Sequence, residues 1–280
     1  MSCQSVPVDH HFCGGCKVRR DGLCAALEPQ RLIATLHPTR MVIPAGSDFP
    51  CDGSRDGTVF SIVDGWAVLH ETLEDGRRQV VQVVLPGDTV CPPTDSATYM
   101  LTAVTQVLTC AVPFQRIEEA AVEEPALTRQ LMALLRRERA QAFRHQSMLG
   151  RRTAKERVAF FLLETFIRFW RRPPAPGDTL KLPLTQFVMG DALGLTSIHV
   201  NRMLSELRKE GVVQVVHNEV TILDPDLLFT NAVADHATEF WMAGQEIRNP
   251  PAIAPVQDKR MANVPPVLRR VHPAVAGVAA

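Results

Sequence analysis

Residues 182–224 read LPLTQFVMGDALGLTSIHVNRMLSELRKEGVVQVVHNEVTILD, and this stretch decides the fold of the C-terminal part of the chain. Thr185 is a preferred N-cap residue and predicts the start of a short helix. Gly194 tolerates a left-handed backbone, so it predicts a tight turn at the end of that helix. Thr196 or Ser197 then predicts the N-cap of a second helix. The order helix, tight turn, helix is that of a helix-turn-helix motif.

The end of the same stretch predicts the rest of a winged domain. Gly211 predicts the end of the second helix. The apolar residues around His217 and Asn218 predict two short strands, which form a small hairpin or wing. The predicted core between the two helices consists of Val188, Ala192, Leu195, Val200, Leu204 and Leu207. A helix pair with this turn and a wing favours DNA binding over a purely structural helical bundle.

The start of the second helix supplies the candidate DNA contacts, because in a helix-turn-helix these residues reach the base edges of the major groove. Arg202 can pair with a guanine through two hydrogen bonds, and Asn201 can contact an adenine or a phosphate. The full candidate set is Thr196, Ser197, Ile198, His199, Asn201 and Arg202.

Upstream of this motif, residues 31–120 contain short runs typical of strands. Residues 58–90, TVFSIVDGWAVLHETLEDGRRQVVQVVLPGDTV, alternate apolar and polar residues between turns. The pairs Asp64-Gly65 and Asp75-Gly76 predict β-hairpins. Several strands at this spacing predict an antiparallel β-roll of the jelly-roll type, and the fold class is therefore α+β.

A helical period replaces the strand pattern in residues 121–150, and Pro125 predicts the start of this long helix. One stripe of it consists of Leu127, Leu131, Leu135, Glu138, Ala142, His145 and Leu149. This stripe either packs on the chain's own β-roll or forms a coiled-coil seam between two chains. The seam is the preferred interpretation, and it predicts a homodimer. A second amphipathic helix and a proline-rich loop follow before the helix-turn-helix.

The N-terminal residues 12–27, FCGGCKVRRDGLCAAL, place three cysteines at the spacing C-x2-C-x7-C. They are Cys13, Cys16 and Cys24, and the chain has seven cysteines in all. An odd number with one tight group favours a metal site over a disulfide framework. Residues 1–30, which contain the group, are expected to be irregular.

Charge and composition bound the possible partners. The 280-residue chain has a formal net charge of +0, but residues 41–128 carry 13 acidic and 4 basic residues, whereas residues 129–157 carry 9 basic and 2 acidic ones. The second region is the one suited to nucleic acid. No apolar run long enough to span a membrane and no leader pattern is present, so we expect a cytoplasmic protein. No dinucleotide fingerprint, P-loop or nucleophile elbow indicates an enzyme.

Together these features resemble the Crp/Fnr family of bacterial transcription regulators over roughly residues 12–230. The cysteine triplet is similar to that of the oxygen-sensing Fnr branch, with its FnrN- and FnrL-type members. TCAVPFQRI, which contains Cys110, resembles the segment that carries the fourth cysteine of that branch, and DALGLTSIHVNRML resembles its recognition element.

The resemblance implies a [4Fe–4S] cluster held by Cys13, Cys16, Cys24 and Cys110, a ligand set of four thiolates. It also implies a homodimer that binds a palindromic operator on double-stranded DNA while the cluster is intact and that works with RNA polymerase. Clustered cysteines also bind zinc or act as a thiol switch, and these alternatives stay open.

The sequence also offers other ligands and signals. His10 and His11 lie close to the triplet and are alternative ligands, and Cys91 is the rival to Cys110 as the fourth ligand. Cyclic nucleotide binding is disfavoured, because no arginine follows Pro86-Gly87-Asp88 to hold a phosphate. His70 would allow a haem sensor, but a lone histidine there is expected to lie at the surface.

Two departures from the Fnr pattern affect the expected DNA sequence. Fnr proteins usually read DNA with a Glu, a Ser and an Arg, and the matching positions here are Ile198, Asn201 and Arg202. Only the arginine is kept, and Ile198 can make only an apolar contact, such as one with a thymine methyl group. The half-site sequence therefore stays open.

The sequence predicts five regions: a cysteine-rich cluster-binding segment at 1–30, a β-roll sensor domain at 31–120, a dimerisation helix at 121–150, a winged helix-turn-helix domain at 151–230 and a C-terminal extension at 231–280. The extension is expected to be partly disordered, with an added helix within residues 231–248.

Overall fold

The computed structural model describes residues 5–50, 57–92 and 99–234. The predicted C-terminal extension lies outside these residues from residue 235 onward. The described chain forms an N-terminal cysteine segment, a β-roll, a long helix and a C-terminal unit, which confirms the α+β fold with antiparallel sheets and a helix-turn-helix.

The cysteine segment (residues 5–36) is more regular than expected. It contains a short strand, two α-helices and one 3-10 helix: β1 (Ser5–Pro7), α1 (His10–Gly14), the 3-10 helix Gly22–Ala26 and α2 (Pro29–Leu36). The prediction of an irregular segment was wrong, because glycines and cysteines carry little helical periodicity, while Asp9 caps α1 through the backbone N–H of Phe12.

The roll consists of two antiparallel sheets. Its remaining strands are β2 (Thr39–Ile43), β3 (Thr58–Asp64), β4 (Ala67–Thr72), β5 (Arg78–Val84), β6 (Thr89–Val90), β7 (Tyr99–Ala103) and β8 (Val107–Pro113). One sheet has the order β1-β2-β8-β3-β6 and the other the order β5-β4-β7. Apolar side chains of both sheets, such as Phe60, Leu69 and Leu101, belong to one buried cluster that forms the interior of the roll.

One predicted hairpin is confirmed and the other was wrong. Asp75-Gly76 lies in the turn between β4 and β5, which pair along their length. Asp64-Gly65 instead carries the chain from one sheet to the other, because β3 and β4 do not pair. Gly65 has φ +86, and a Cβ there would lie 2.2 Å from the carbonyl oxygen of Gln106. Glycine is therefore needed where the chain passes closely over the turn at Gln106.

Two helices follow the roll. Helix α3 spans Phe114–Glu123, and α4 spans Pro125–Arg151 with Pro125 in its first turn, as predicted. Helix α4 has 27 residues and passes the cysteine segment near its start and the roll along its length. This placement puts one helix in contact with both parts of the chain.

The C-terminal unit (residues 153–234) contains the predicted winged helix-turn-helix. Its elements are α5 (Ala154–Trp170), β9 (Thr179–Lys181), α6 (Gln186–Leu193), α7 (Ser197–Lys209), β10 (Val213–Val216), β11 (Glu219–Ile222) and α8 (Pro225–Ala232). The wing has three strands in the order β10-β11-β9, one more than predicted. Thr185 and Thr196 cap α6 and α7, and Gly194 has a left-handed backbone between them.

The largest core joins the roll to the C-terminal unit. Trp66, Val80 and Leu85 of the roll pack in the same buried cluster as Phe160 and Leu207. Burial of this apolar surface stabilises one arrangement of the roll and the C-terminal unit in the chain without DNA.

Candidate metal centre and nucleic-acid interface

Four cysteine thiols line one cavity between the cysteine segment and the sheet β1-β2-β8-β3-β6 of the roll. Cys13 lies in α1 and Cys16 follows it, while Cys24 lies in the 3-10 helix. Cys110 comes from β8, where its backbone lies opposite that of Arg40 in β2. The remaining lining is mainly apolar and includes Val8, Phe12, Leu23, Leu32, Leu36 and Val112. We call this space the thiol cavity.

The thiols lie close enough to affect one another electrostatically. Burial raises the pKa of the Cys24 thiol to about 11 and that of Cys110 to about 12, and the neighbouring thiols act in the same direction. Burial also raises the pKa of Cys13, although Arg19 opposes the shift. The free thiols are therefore mainly protonated, and a metal that binds them must displace these protons.

Within residues 5–50, 57–92 and 99–234, no three His, Cys, Asp or Glu side chains are grouped tightly enough to hold one metal ion. Four thiols are a donor set that fits both a zinc ion and an iron–sulfur cluster.

The alternative ligands lie away from this cavity. Cys91 is exposed and does not line the thiol cavity. His10 and His11 are exposed on α1 and do not line the cavity either. The structure thus brings Cys110, and neither Cys91 nor the two histidines, to the cysteine triplet.

Two arginines are the charged neighbours of the thiols. Arg19 partly opposes the rise in the pKa values of Cys13 and Cys24, and its guanidinium pairs with Glu28 at 2.7 Å. Arg40 lies over the ring of Phe12 at 4.8 Å and partly opposes the rise in the pKa of Cys110. Their positive charge offsets part of the effect of burial and so assists the loss of protons that metal binding requires.

The candidate DNA contacts lie at the exposed start of α7. Ile198 is 78% exposed, and Thr196, His199, Asn201 and Arg202 are exposed too, whereas Ser197 is half-buried. The hydroxyl oxygen of Thr196 accepts the N–H of His199 as the helix cap. The capping role of Thr196 leaves the other five side chains as the better candidates for base or phosphate contacts.

The exposed side chains of α7 combine polar and apolar character. Arg202 lies 3.9 Å from Glu206, both side chains being exposed, so this pair is weak and the guanidinium is available to DNA. Phe187 on α6 is 63% exposed and was not among the predicted residues. The exposure of Phe187 on the helix before the turn is visible only in the structure, because helical periodicity does not reveal it.

The predicted dimer stripe of α4 divides between two environments. Leu127 is buried beside the cysteine segment, and Leu131, Glu138, His145 and Leu149 are partly buried within the chain. The apolar residues of α4 that face outward are Met132, Leu135, Ala142 and Phe143, which we call the α4 face. The α4 face contains Leu135 and Ala142 of the predicted stripe. It lies on a different side of the helix from the other stripe residues, which are buried or partly buried.

His70 does not lie at the surface, and the expectation that it does was wrong. It is only 7% exposed, because β4 faces the C-terminal unit at this point. Its Nε2 lies 2.9 Å from the hydroxyl of Thr102, which in turn donates to Asp48. Since that hydroxyl has given its hydrogen to Asp48, His70 Nε2 is the donor. Burial and Arg78 lower the pKa of His70.

No helix among the described residues is long and apolar enough to cross a membrane. Residues 156–229, which form most of the C-terminal unit, match the Crp-like helix-turn-helix domain.

The chain is also similar to proteins of known role over most of its length. It is 33% identical over 220 residues to the nitrogen fixation regulation protein FixK of Bradyrhizobium diazoefficiens, covering 77% of this chain and 91% of FixK. It is 34% identical over 219 residues to the transcriptional activator protein FnrL of Cereibacter sphaeroides, covering 76% and 88%. Among solved structures, FixK2 of Bradyrhizobium japonicum has a TM-score of 0.62 and 28% identity, covering 71% of this chain and 98% of FixK2.

Proposed function

Because the chain belongs to the Crp/Fnr family of DNA-binding transcription regulators, we propose that it is an oxygen-responsive member of that family. In this proposal a homodimer binds palindromic DNA while Cys13, Cys16, Cys24 and Cys110 hold a [4Fe–4S] cluster. It activates transcription through RNA polymerase, as the name of the relative FnrL, a transcriptional activator, suggests.

The observation that carries the proposal is the convergence of four thiols on one cavity from two distant parts of the sequence. When bound, an iron–sulfur cluster supplies a centre whose integrity depends on oxygen and redox state. Four thiolates are its usual protein ligands. A ligand set that joins residues 13–24 to β8 stabilises only the docked position of the cysteine segment.

The cysteine segment reaches the long helix through contacts of its own. Gln130 of α4 donates from Nε2 to the carbonyl oxygen of Gly22 at 2.6 Å. Arg31 of α2 pairs at 2.6 Å with Glu124, which directly precedes α4. Leu127 packs in the same apolar cluster as Cys13. A change in the position of the segment therefore acts on the first half of α4.

The α4 face supports the homodimer. Met132, Leu135, Arg139, Ala142 and Gln146 follow steps of three and four residues, the spacing of a coiled-coil seam. Met132 and Leu135 are 57% and 50% exposed in the single chain, and Phe143, next to this seam, is 55% exposed. A second copy packed in parallel on this face buries these side chains and relates the two C-terminal units by a twofold axis.

The twofold axis determines the form of the DNA site. Two recognition helices related by such an axis bind half-sites about one helical turn apart, so the operator is a palindrome. In each half-site Arg202 provides the contact to a guanine, and Ile198 provides an apolar contact. Phe187 and His199 lie beside them as candidate contacts to the sugar–phosphate backbone.

The experiment measures DNA affinity and oligomeric state before and after air. The probe is a fluorescent duplex selected from a random-sequence pool by the anaerobically purified wild-type protein. We expect nanomolar binding of a palindromic duplex by a dimer, weakened at least about fivefold by air.

Leu135→Glu places a charge in the dimer seam and is expected to give a monomer with weak DNA binding. Val122→Glu is the control, because Val122 is an 85% exposed apolar residue outside the seam. Equal affinity before and after air contradicts the oxygen response. Zinc in place of iron in the same samples supports a zinc-containing regulator instead.

A further inference from the structure

We infer that the roll turn Pro86–Thr89 transmits the state of the cysteine segment to the C-terminal unit, with Asp88 and Arg168 as positioning residues for DNA binding. This inference rests on the proposed function, because it explains how the four thiols act on α7. It adds a second route beside the dimer helix.

The turn contacts the cysteine segment directly. The backbone N–H of Leu23 donates to the hydroxyl oxygen of Thr89 at 3.3 Å. Gly22 has φ +57, and a Cβ there would lie 2.2 Å from that same hydroxyl and 3.4 Å from the carbonyl oxygen of Gly87. Only glycine permits this approach and this backbone conformation at low cost. The start of the 3-10 helix that carries Cys24 therefore lies directly against the turn.

The turn also forms part of the thiol cavity. Gly87, Asp88 and Thr89 line it together with the four cysteines. The backbone of Ile62, another lining residue, exchanges two hydrogen bonds with the turn, from Gly87 N–H at 2.8 Å and to the Asp88 carbonyl at 2.9 Å. A displacement of the cavity wall on this side consequently moves the turn.

On its other side the turn holds α5 of the C-terminal unit. Arg168 is a buried charge, only 7% exposed, and its Nη2 donates to the Asp88 carboxylate at 2.6 Å and to the Val83 carbonyl at 2.8 Å. The same carboxylate oxygen accepts the N–H of Leu85 at 2.8 Å. A buried arginine needs these partners in fixed positions, so α5 follows the turn.

From α5 the path to the recognition helix is short. Helices α5 and α7 share one buried cluster, in which Phe160 and Leu163 pack with Val200 and Leu204. Close-packed side chains transmit displacement instead of absorbing it. The chain of contacts thus runs from Leu23 through Thr89, Asp88 and Arg168 to α7.

A second polar contact between roll and C-terminal unit provides a matched control. Arg78 of β5 donates from Nε to the carboxylate of Asp191 on α6 at 2.8 Å, in a half-buried position. Neither residue lines the thiol cavity. If the turn is the specific route, breaking the Arg78–Asp191 pair changes DNA affinity by the same factor before and after air. The response to air is then retained.

The test uses the full-length protein and four variants. Thr89→Val removes the acceptor of the Leu23 N–H while keeping the shape, and Thr89→Ser restores the hydroxyl. Asp88→Asn combined with Arg168→Met removes the buried pair without leaving one charge uncompensated. Asp191→Asn is the control.

Two quantities are measured for each protein: iron and sulfide per chain, and affinity for the duplex selected by the wild type, before and after air. We define the coupling ratio as the affinity before air divided by that after it. We expect wild-type iron content in every variant. The coupling ratio should fall at least about fivefold towards one in Thr89→Val and in the double variant, and should be retained in Thr89→Ser and Asp191→Asn.

A wild-type coupling ratio of one would overturn the proposed function and this inference with it. A wild-type ratio well above one that persists unchanged in Thr89→Val and the double variant would overturn the inference alone. Loss of iron in Thr89→Val would also overturn it, since Thr89 would then hold the metal site and not transmit its state. An equal loss of coupling in Asp191→Asn would show that any contact between roll and C-terminal unit suffices.

Discussion

The C-terminal unit and the cysteine segment are held together in different ways. All four helices of the C-terminal unit begin with a side chain that accepts a backbone N–H: those of Thr153, Thr185, Thr196 and Asp224. In the cysteine segment only α1 has such a cap. The C-terminal unit is thus specified by local sequence and by a core to which it contributes most of the side chains, whereas the segment depends on contacts with the roll, α3 and α4.

This difference suits the two roles. A domain that reads DNA must keep its recognition helix in one geometry, and a complete core achieves this. A segment that reports the state of a ligand must have a docked position that is stable only when the ligand is bound. The half-buried thiols of Cys24 and Cys110 supply that dependence in the proposed regulator.

The largest effect on the C-terminal unit should come from its core. Leu207 is fully buried on the inner side of α7, so Leu207→Ala should lower the free energy of unfolding by about 2–5 kcal/mol. Leu227→Ala is the control, because Leu227 is 40% exposed and should change it by less than about 0.5 kcal/mol. Chemical denaturation measures both. Similar values for the two variants would mean that the unit lacks the core described above.

Arg202→Ala tests the reading of DNA without affecting the fold. It should weaken specific binding by about 1–3 kcal/mol and relax selectivity at one base pair. Arg208→Ala, an exposed residue in the last turn of the same helix, should weaken binding less and without loss of selectivity. Anisotropy titrations with selected and substituted duplexes distinguish the two. An unchanged selectivity profile in Arg202→Ala would remove this residue from the base contacts.

The caps of the C-terminal unit should contribute a smaller amount. Thr185 accepts the N–H of Val188 at 3.2 Å, so Thr185→Ala should cost about 1 kcal/mol of unfolding free energy. Thr185→Ser keeps the acceptor and should behave like the wild type. If serine were as destabilising as alanine, packing of the threonine methyl group and not the cap would explain the loss.

The smallest effect is a pH dependence near the junction of the roll with α4. Burial, and secondarily Asp88, raises the pKa of Glu138 to about 7. A raised pKa means that the folded state retains the proton. The contribution of the protonated Glu138 to stability is therefore complete below the unfolded-state pKa of about 4.3 and is lost as the pH rises through about 7. Glu138→Gln should raise the melting temperature at pH 8 and not at pH 4.

The control for this prediction is Glu118→Gln, which changes an exposed carboxylate on α3. It should shift the melting temperature equally little at both pH values. A Glu138→Gln shift that is the same at pH 8 and pH 4 would show that the substitution alters packing and not titration. Arg137, Arg144 and Arg168 line the same pocket as Glu138 and favour its carboxylate, so salt that screens their charge should enlarge the difference.

The same contrast explains which features are predictable from sequence. The winged helix-turn-helix, the β4–β5 hairpin and the start of α4 follow from caps, glycines and apolar spacing, which are local signals. The crossing at Asp64-Gly65, the burial of His70 and the outward orientation of Phe143 depend on what each segment packs against. Sequence periodicity does not contain that information.

The contacts of the turn Pro86–Thr89 were also beyond sequence analysis. Asp88 and Arg168 are 80 residues apart, and nothing in their surroundings marks them as partners. The cysteine site was accessible only in part. The C-x2-C-x7-C spacing marks three thiols by itself, whereas Cys110 was identified through the resemblance to the Fnr branch.

The most direct test of the account is a count of iron and acid-labile sulfide in anaerobically purified protein, for wild type, Cys110→Ser and Cys91→Ser. The account predicts about four of each per chain in the wild type and in Cys91→Ser, with a visible absorption band that bleaches in air. It predicts loss of both in Cys110→Ser. Zinc, or no metal, with a spectrum indifferent to air would contradict it.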